Sequence, residues 1–154
     1  MHELFIQNDD QRAIIATVQR FVAEEVTPRA AELDANVDPE DSYSWEIVEK
    51  AHEVGIRQMT LSEEYGGLGT DSLTTSMVIE ELGKGDLGVS VIFAQTLKIA
   101  QIMQAALNEE QRNRILPKFA EDPRGMLGIG ITEPDNASNY FIPHVGDINF
   151  IDKA

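Results

Sequence analysis

The sequence contains no cysteine in its 154 residues. That absence removes disulfides, thiolate nucleophiles and cysteine-ligated zinc together. Basic residues are scarce too: 12 Lys and Arg stand against 27 Asp and Glu, a formal net charge of −15. A surface of that sign repels phosphate backbones and anionic lipid, so neither nucleic-acid binding nor membrane attachment is expected. The opening residues lack the basic and apolar regions of a secretory signal. His2, His52 and His144 are scattered without ligand spacing, so no metal is expected. There is no internal repeat and no low-complexity segment. The expectation is a soluble, cytoplasmic protein.

What is present is an ordinary globular composition, 42% hydrophobic and 25% charged, enough for one core without covalent staples. The acid is spread: residues 1–65 carry 15 acidic and 5 basic residues, residues 66–154 carry 12 and 7. That distribution reads as a solvated outer face rather than an acidic tail.

Hydrophobic periodicity predicts a mainly α chain. Ile14, Val18, Phe21, Val22 and Val26 form a helical stripe within residues 8–33. Asn8 or Asp9 caps its start, and Pro28 is expected to kink or end it. Residues 36–44 read as a loop. Trp45, Val48, Ala51, His52 and Ile56 mark a second helix that Gly55 stops. Leu61-Ser-Glu-Glu-Tyr-Gly-Gly-Leu-Gly69 has no helical period and reads as a turn-rich loop. Its glycines are not a phosphate cradle, because no strand precedes them at the required spacing. Glu63, Glu64 and Glu133 read as solvated acids rather than an acid/base pair. Asp71 or Ser72 caps a helix through Met77, Val78, Glu81 and Leu82, broken by Gly83, Gly85 and Gly88.

Residues 89–107 are apolar on every side, with Lys98 as the single charge. Gln95, Gln101, Gln104 and Lys98 argue against a membrane span, so a central core helix covered by further protein is predicted. Asn108-Glu-Glu-Gln111 has the form of a capping box and opens a helix that stops near Asp122-Pro123. Met126-Leu-Gly-Ile-Gly-Ile131 reads as a strand closed by Thr132-Glu-Pro134. Helices followed by a first strand suggest a helical domain over residues 1–122 and the beginning of a β domain over residues 123–154.

Four segments, in order, carry a resemblance to the flavin-dependent acyl-CoA dehydrogenases. They are Val26-Thr-Pro-Arg-Ala-Ala-Glu-Leu-Asp34, Glu63-Glu-Tyr-Gly-Gly-Leu-Gly69, Glu109-Glu-Gln-Arg-Asn-Arg-Ile-Leu-Pro117, and Ile131-Thr-Glu-Pro134 followed by Ala137-Ser138. The resemblance implies an N-terminal domain of about five or six helices leading into the first strand of a β-barrel domain, in a chain truncated relative to the family. Residues 140–145 do not follow the family pattern, and residues 146–153 resemble its next strand arriving early. The expectation is therefore a piece of a longer polypeptide whose catalytic glutamate lies beyond Ala154.

The resemblance further implies FAD, an acyl-CoA substrate, an electron-transfer flavoprotein as partner, and a homotetramer in fatty acid metabolism. Carried over residue by residue, Ile129, Ile131, Thr132 and Ser138 would meet the cofactor. Ser138 would also meet the acyl-CoA, with Val91, Gln95 and Ile99 along the acyl chain. This sequence has Ala137-Ser138-Asn139 where the family usually has Gly-Ser-Asp, Ile129 where an aromatic is common, and no proline before Glu63. The implied reaction is α,β-desaturation of an acyl-CoA thioester. A non-catalytic helical interaction module and a related flavin oxidase or monooxygenase are the alternatives.

Overall fold

The computed structural model describes residues 4–38 and 42–130. The first rod starts with α1 (Asp9–Phe21), where the Asn8 side chain accepts from the Gln11 amide and Asp9 and Asp10 face the positive helix end. It continues through one π turn (Val22–Val26) into α2 (Thr27–Ala35), with Pro28 in the opening turn of α2. Pro28 therefore redirects the rod without ending it. The widened turn ahead of the proline eases the ring against the preceding carbonyls, the clash that breaks regular α-helices.

Helix α3 (Trp45–Glu53) is capped by Ser44 and ends ahead of Gly55, whose φ of +79° is the left-handed conformation glycine tolerates best. The loop after it holds a short 3-10 turn (Glu63–Tyr65). Within that loop Gly67 lies against the Leu61 carbonyl oxygen so closely that any Cβ would overlap it. Helix α4 (Ser72–Gly85) runs unbroken through Gly83, and Gly85 lets it approach the π turn. Asp86 alone joins α4 to α5 (Leu87–Ala106): its amide bonds the Leu82 carbonyl and its side chain accepts from the Val89 amide. Helix α6 (Glu109–Glu121) begins with the expected reciprocal capping box of Asn108 and Gln111.

The main core lies between the first rod, α3, α4 and α5, and includes Val18, Phe21, Val26, Ile47, Met77, Leu82, Phe93 and Leu97. A second cluster, Leu61, Tyr65, Ala100, Leu116, Phe119 and Ala120, fixes α6 to the far half of α5 and to the 3-10 turn. The chain is thus mainly α, as expected.

Residues 126–130, the described part of the expected strand, pair with no described segment through backbone hydrogen bonds. Alternation of large residues with Gly128 and Gly130 satisfies the strand period, but a strand also needs a partner. Residues 131–154 lie outside the described residues.

Candidate functional site

Helix α5 is long and apolar enough, by length and composition, to cross a membrane, yet its two sides differ. Phe93, Thr96, Leu97 and Ala100 are fully buried. Leu87, Val91 and Ile102 are exposed, and Lys98 is exposed among them. Positions 91, 98 and 102 fall on one line of a helix that turns about 100° per residue. The apolar all-round pattern therefore resolves into a core face and an uncovered apolar stripe. The sequence predicted further protein over this helix without singling out a face, and the stripe is the face left uncovered among the described residues.

The three residues expected along an acyl chain are placed unequally. Val91 is 51% exposed, Gln95 is half-buried, and Ile99 is 9% exposed. Steps of four residues drift by about 40° each, so the line from Val91 to Ile99 rotates from the stripe into the core. Val91 and Gln95 meet at the uncovered edge, and Ile99 lies behind them. The Gln95 side-chain oxygen is shielded from solvent without a hydrogen-bond partner among the described residues, an arrangement that costs about 1–3 kcal/mol.

The chain returns to α5 after α6. The Thr96 hydroxyl lies 3.4 Å from both the amide nitrogen and the carbonyl oxygen of Leu127, accepting from the first and donating to the second, with the Met126 sulfur at 3.8 Å. This pairing brings Met126 and Leu127 against the core face of the helix. Ile129 is 48% exposed, and a Cβ added to Gly128 or Gly130 would meet no atom within 4 Å. Among the described residues, nothing crowds the backbone at these two glycines. Ile131, Thr132 and Ser138 lie outside the described residues.

Upstream of that segment stands a residue whose role the sequence did not disclose. Arg57 is fully buried, and its guanidinium donates to the carbonyls of Phe119 at 2.8 Å, Ala120 at 3.0 Å and Gly125 at 2.7 Å. A fourth contact, 3.0 Å to Nδ1 of His52, requires that imidazole nitrogen to accept. The guanidinium carbon lies 4.6 Å from the centre of the Phe119 ring. Burial pushes the Arg57 pKa down, while the nearby Asp122 carboxylate acts in the opposite direction. The available signals were faint: a lone cation between Ile56 and Met59, and a hydroxyl at Thr96 within an apolar helix.

The remaining loop chemistry is structural. Gly66 and Gly69 take φ of +84° and +61° and form the expected turns. No group of three or more potential metal ligands occurs among the described residues. A cleft of about 270 Å³ opens between residues 33–36, residues 42–48 and the start of α5, and of its two carboxylates, Asp34 and Asp86, the second already caps that helix.

Comparison with known proteins matches residues 8–122 to the acyl-CoA dehydrogenase N-terminal domain. The chain is 32% identical over 136 residues to a probable medium-chain specific acyl-CoA dehydrogenase of Caenorhabditis briggsae, covering 88% of this chain and 32% of that protein. Among solved structures it resembles a chain from work on the electron transferring flavoprotein of Acidaminococcus fermentans, with a TM-score of 0.73 and 26% identity over 88% of this chain and 34% of that one. Butyryl-CoA dehydrogenase from Megasphaera elsdenii matches with a TM-score of 0.70 and 25% identity, over 86% and 34% of the two chains. The chain therefore spans about a third of the length of these relatives. The chain belongs to the acyl-CoA dehydrogenase family and carries its N-terminal domain.

Proposed function

We propose that this chain serves an FAD-dependent acyl-CoA dehydrogenase, desaturating an acyl-CoA thioester between Cα and Cβ. The observation that carries the reading is the glycine-flanked segment that Thr96 holds against α5, uncrowded at Gly128 and Gly130 among the described residues, on a helix whose other face presents an uncovered apolar stripe. FAD, when bound, supplies the ring that accepts the β-hydrogen as hydride. Ile129, Ile131, Thr132 and Ser138 would hold it, and the open space at Gly128 and Gly130 fits a planar group lying close to the backbone. Val91 and Gln95 would line the acyl chain with Ile99 behind them, and Ser138 would contact the acyl-CoA. Exclusion of water by this wall strengthens every polar contact made at the reacting carbons. The α-proton would pass to a carboxylate outside this domain. An electron-transfer flavoprotein as acceptor, a homotetramer, a cytoplasmic location and a boundary near residue 122 belong to the same proposal.

The test uses the protein purified from its natural gene. It is expected to be yellow and to bleach anaerobically when an acyl-CoA is added. A colourless protein, or a yellow one that no acyl-CoA reduces, defeats the reading; rapid oxygen uptake during turnover points instead to an oxidase. Because Val91 is half exposed, Val91→Trp is expected to leave Tm unchanged while raising the KM for acyl-CoA about tenfold, as filling a preformed apolar pocket does.

A further inference from the structure

We propose that Arg57 is a positioning residue, a buried latch that, together with Thr96, sets where the chain leaves α6 and so aims the flavin-facing segment. The inference rests on the function proposed above for residues 129–138. The latch itself rests on geometry within the described residues.

The last turn of any α-helix leaves carbonyls without intrahelical partners and concentrates partial negative charge there. In α6 two carbonyls of that turn, those of Phe119 and Ala120, receive one guanidinium nitrogen of Arg57. The other terminal nitrogen reaches past the turn to the Gly125 carbonyl. A single rigid fork therefore joins the end of α6 to the residue five positions on. Arginine suits this task because its donors are coplanar and fixed relative to one another.

The turn between them is shaped to keep that fork in place. The Arg124 amide donates to the Asp122 side chain, and the Gly125 amide to the Asp122 carbonyl. A Cβ on Gly125 would lie 3.2 Å from the Arg57 nitrogen and 3.2 Å from the Phe119 oxygen, so the glycine leaves just the room the guanidinium needs. Two residues later Thr96 holds Leu127 by both its amide and its carbonyl. Residues 125–127 are thus pinned at both ends, by a fully buried cation on one side and a fully buried hydroxyl on the other. Neither anchor belongs to the segment, so the helical domain sets the direction in which the chain leaves.

The experiment compares the FAD-loaded protein with Arg57→Lys, Arg57→Met and Thr96→Val. Amide hydrogen exchange at residues 125–130 is expected to quicken about tenfold in Arg57→Met while the centres of α1 and α4 keep their protection. The visible absorption band of the flavin is expected to shift, and kcat to fall with KM for acyl-CoA within about twofold. Arg57→Lys restores part of each effect, because a lysine reaches some of these carbonyls but not all. Thr96→Val loosens the same residues from the other end and keeps the test alive should Arg57→Met fail to fold. Unchanged exchange at residues 125–130, or equal acceleration across the whole helical domain, overturns the latch. Local loosening with an unaltered flavin band overturns its role in aiming the segment. If the wild-type protein holds no FAD, the proposed function fails, and the exchange pattern still decides whether the latch exists.

Discussion

Asp71 shows how much one carboxylate contributes at a helix start. Its side chain accepts from the Thr74 backbone amide at 2.6 Å and lies 3.4 Å from the side-chain Nε2 of Gln11, which also donates to the Thr74 hydroxyl at 2.9 Å. The Thr74 backbone bond, followed by the Thr74 hydroxyl, holds the Asp71 carboxyl below its usual pKa. A carboxyl depressed in the folded state contributes stability that is present above its unfolded pKa and is lost as pH falls through the folded one. Asp71→Ala is expected to cost about 1 kcal/mol near neutrality. Urea unfolding at several pH values should show that difference shrinking as acid titrates the wild-type carboxyl. This cap was legible in advance, because Asp71 precedes a periodic apolar run. Arg57 and Thr96 were not, since the carbonyls and the amide they hold lie 31 to 68 positions away along the chain, which no local pattern announces.

Among the elements, those with local punctuation were readable. Asn8, Ser44, Asp71 and Asn108 each begin a helix by accepting from a backbone amide, and Gly55 and Gly66 end turns at positive φ. The π turn at Val22–Val26 left no such mark; Pro28 signalled a disturbance but not its form. Gly83 and Gly85 were expected to break α4, yet the helix runs through Gly83 and reaches Gly85, its last residue and a point of close approach. A Cβ on Gly85 would stand 2.6 Å from one Val22 methyl and 3.0 Å from one of Val26. Gly85→Ala should therefore destabilise by about 1–3 kcal/mol despite alanine's better helix propensity, read as a lower urea midpoint. A neutral or raised midpoint would mean that the π turn yields to the added methyl. The strand expected at residues 126–131 has no described partner along residues 126–130: period identifies a candidate strand, and pairing completes it.

At the scale of the whole molecule, charge repulsion is the term that composition alone already exposes. The net charge of −15 is only locally relieved, as where Lys50 bonds Glu25 at 2.6 Å and Glu46 at 3.0 Å while Arg29 bonds the same two acids. The Lys50 bonds hold both carboxyls below their usual pKa and raise that of Lys50, but such surface groups contribute little each. Raising NaCl from about 0.05 M to about 0.5 M is expected to increase Tm, because screening relieves self-repulsion more than it weakens these pairs. A fall in Tm under calorimetry would show that the pairs dominate.

The single-residue corner at Asp86 carries a consequence for how this domain can vary. One extra residue there would index α5 forward by about 100°, so that Leu97 stood where Lys98 meets water and Thr96 lost hold of Leu127. Substitution on either flank leaves the dial where it is; a length change resets every position downstream at once. Insertions and deletions at this corner should therefore be selected against far more strongly than exchanges of side chain.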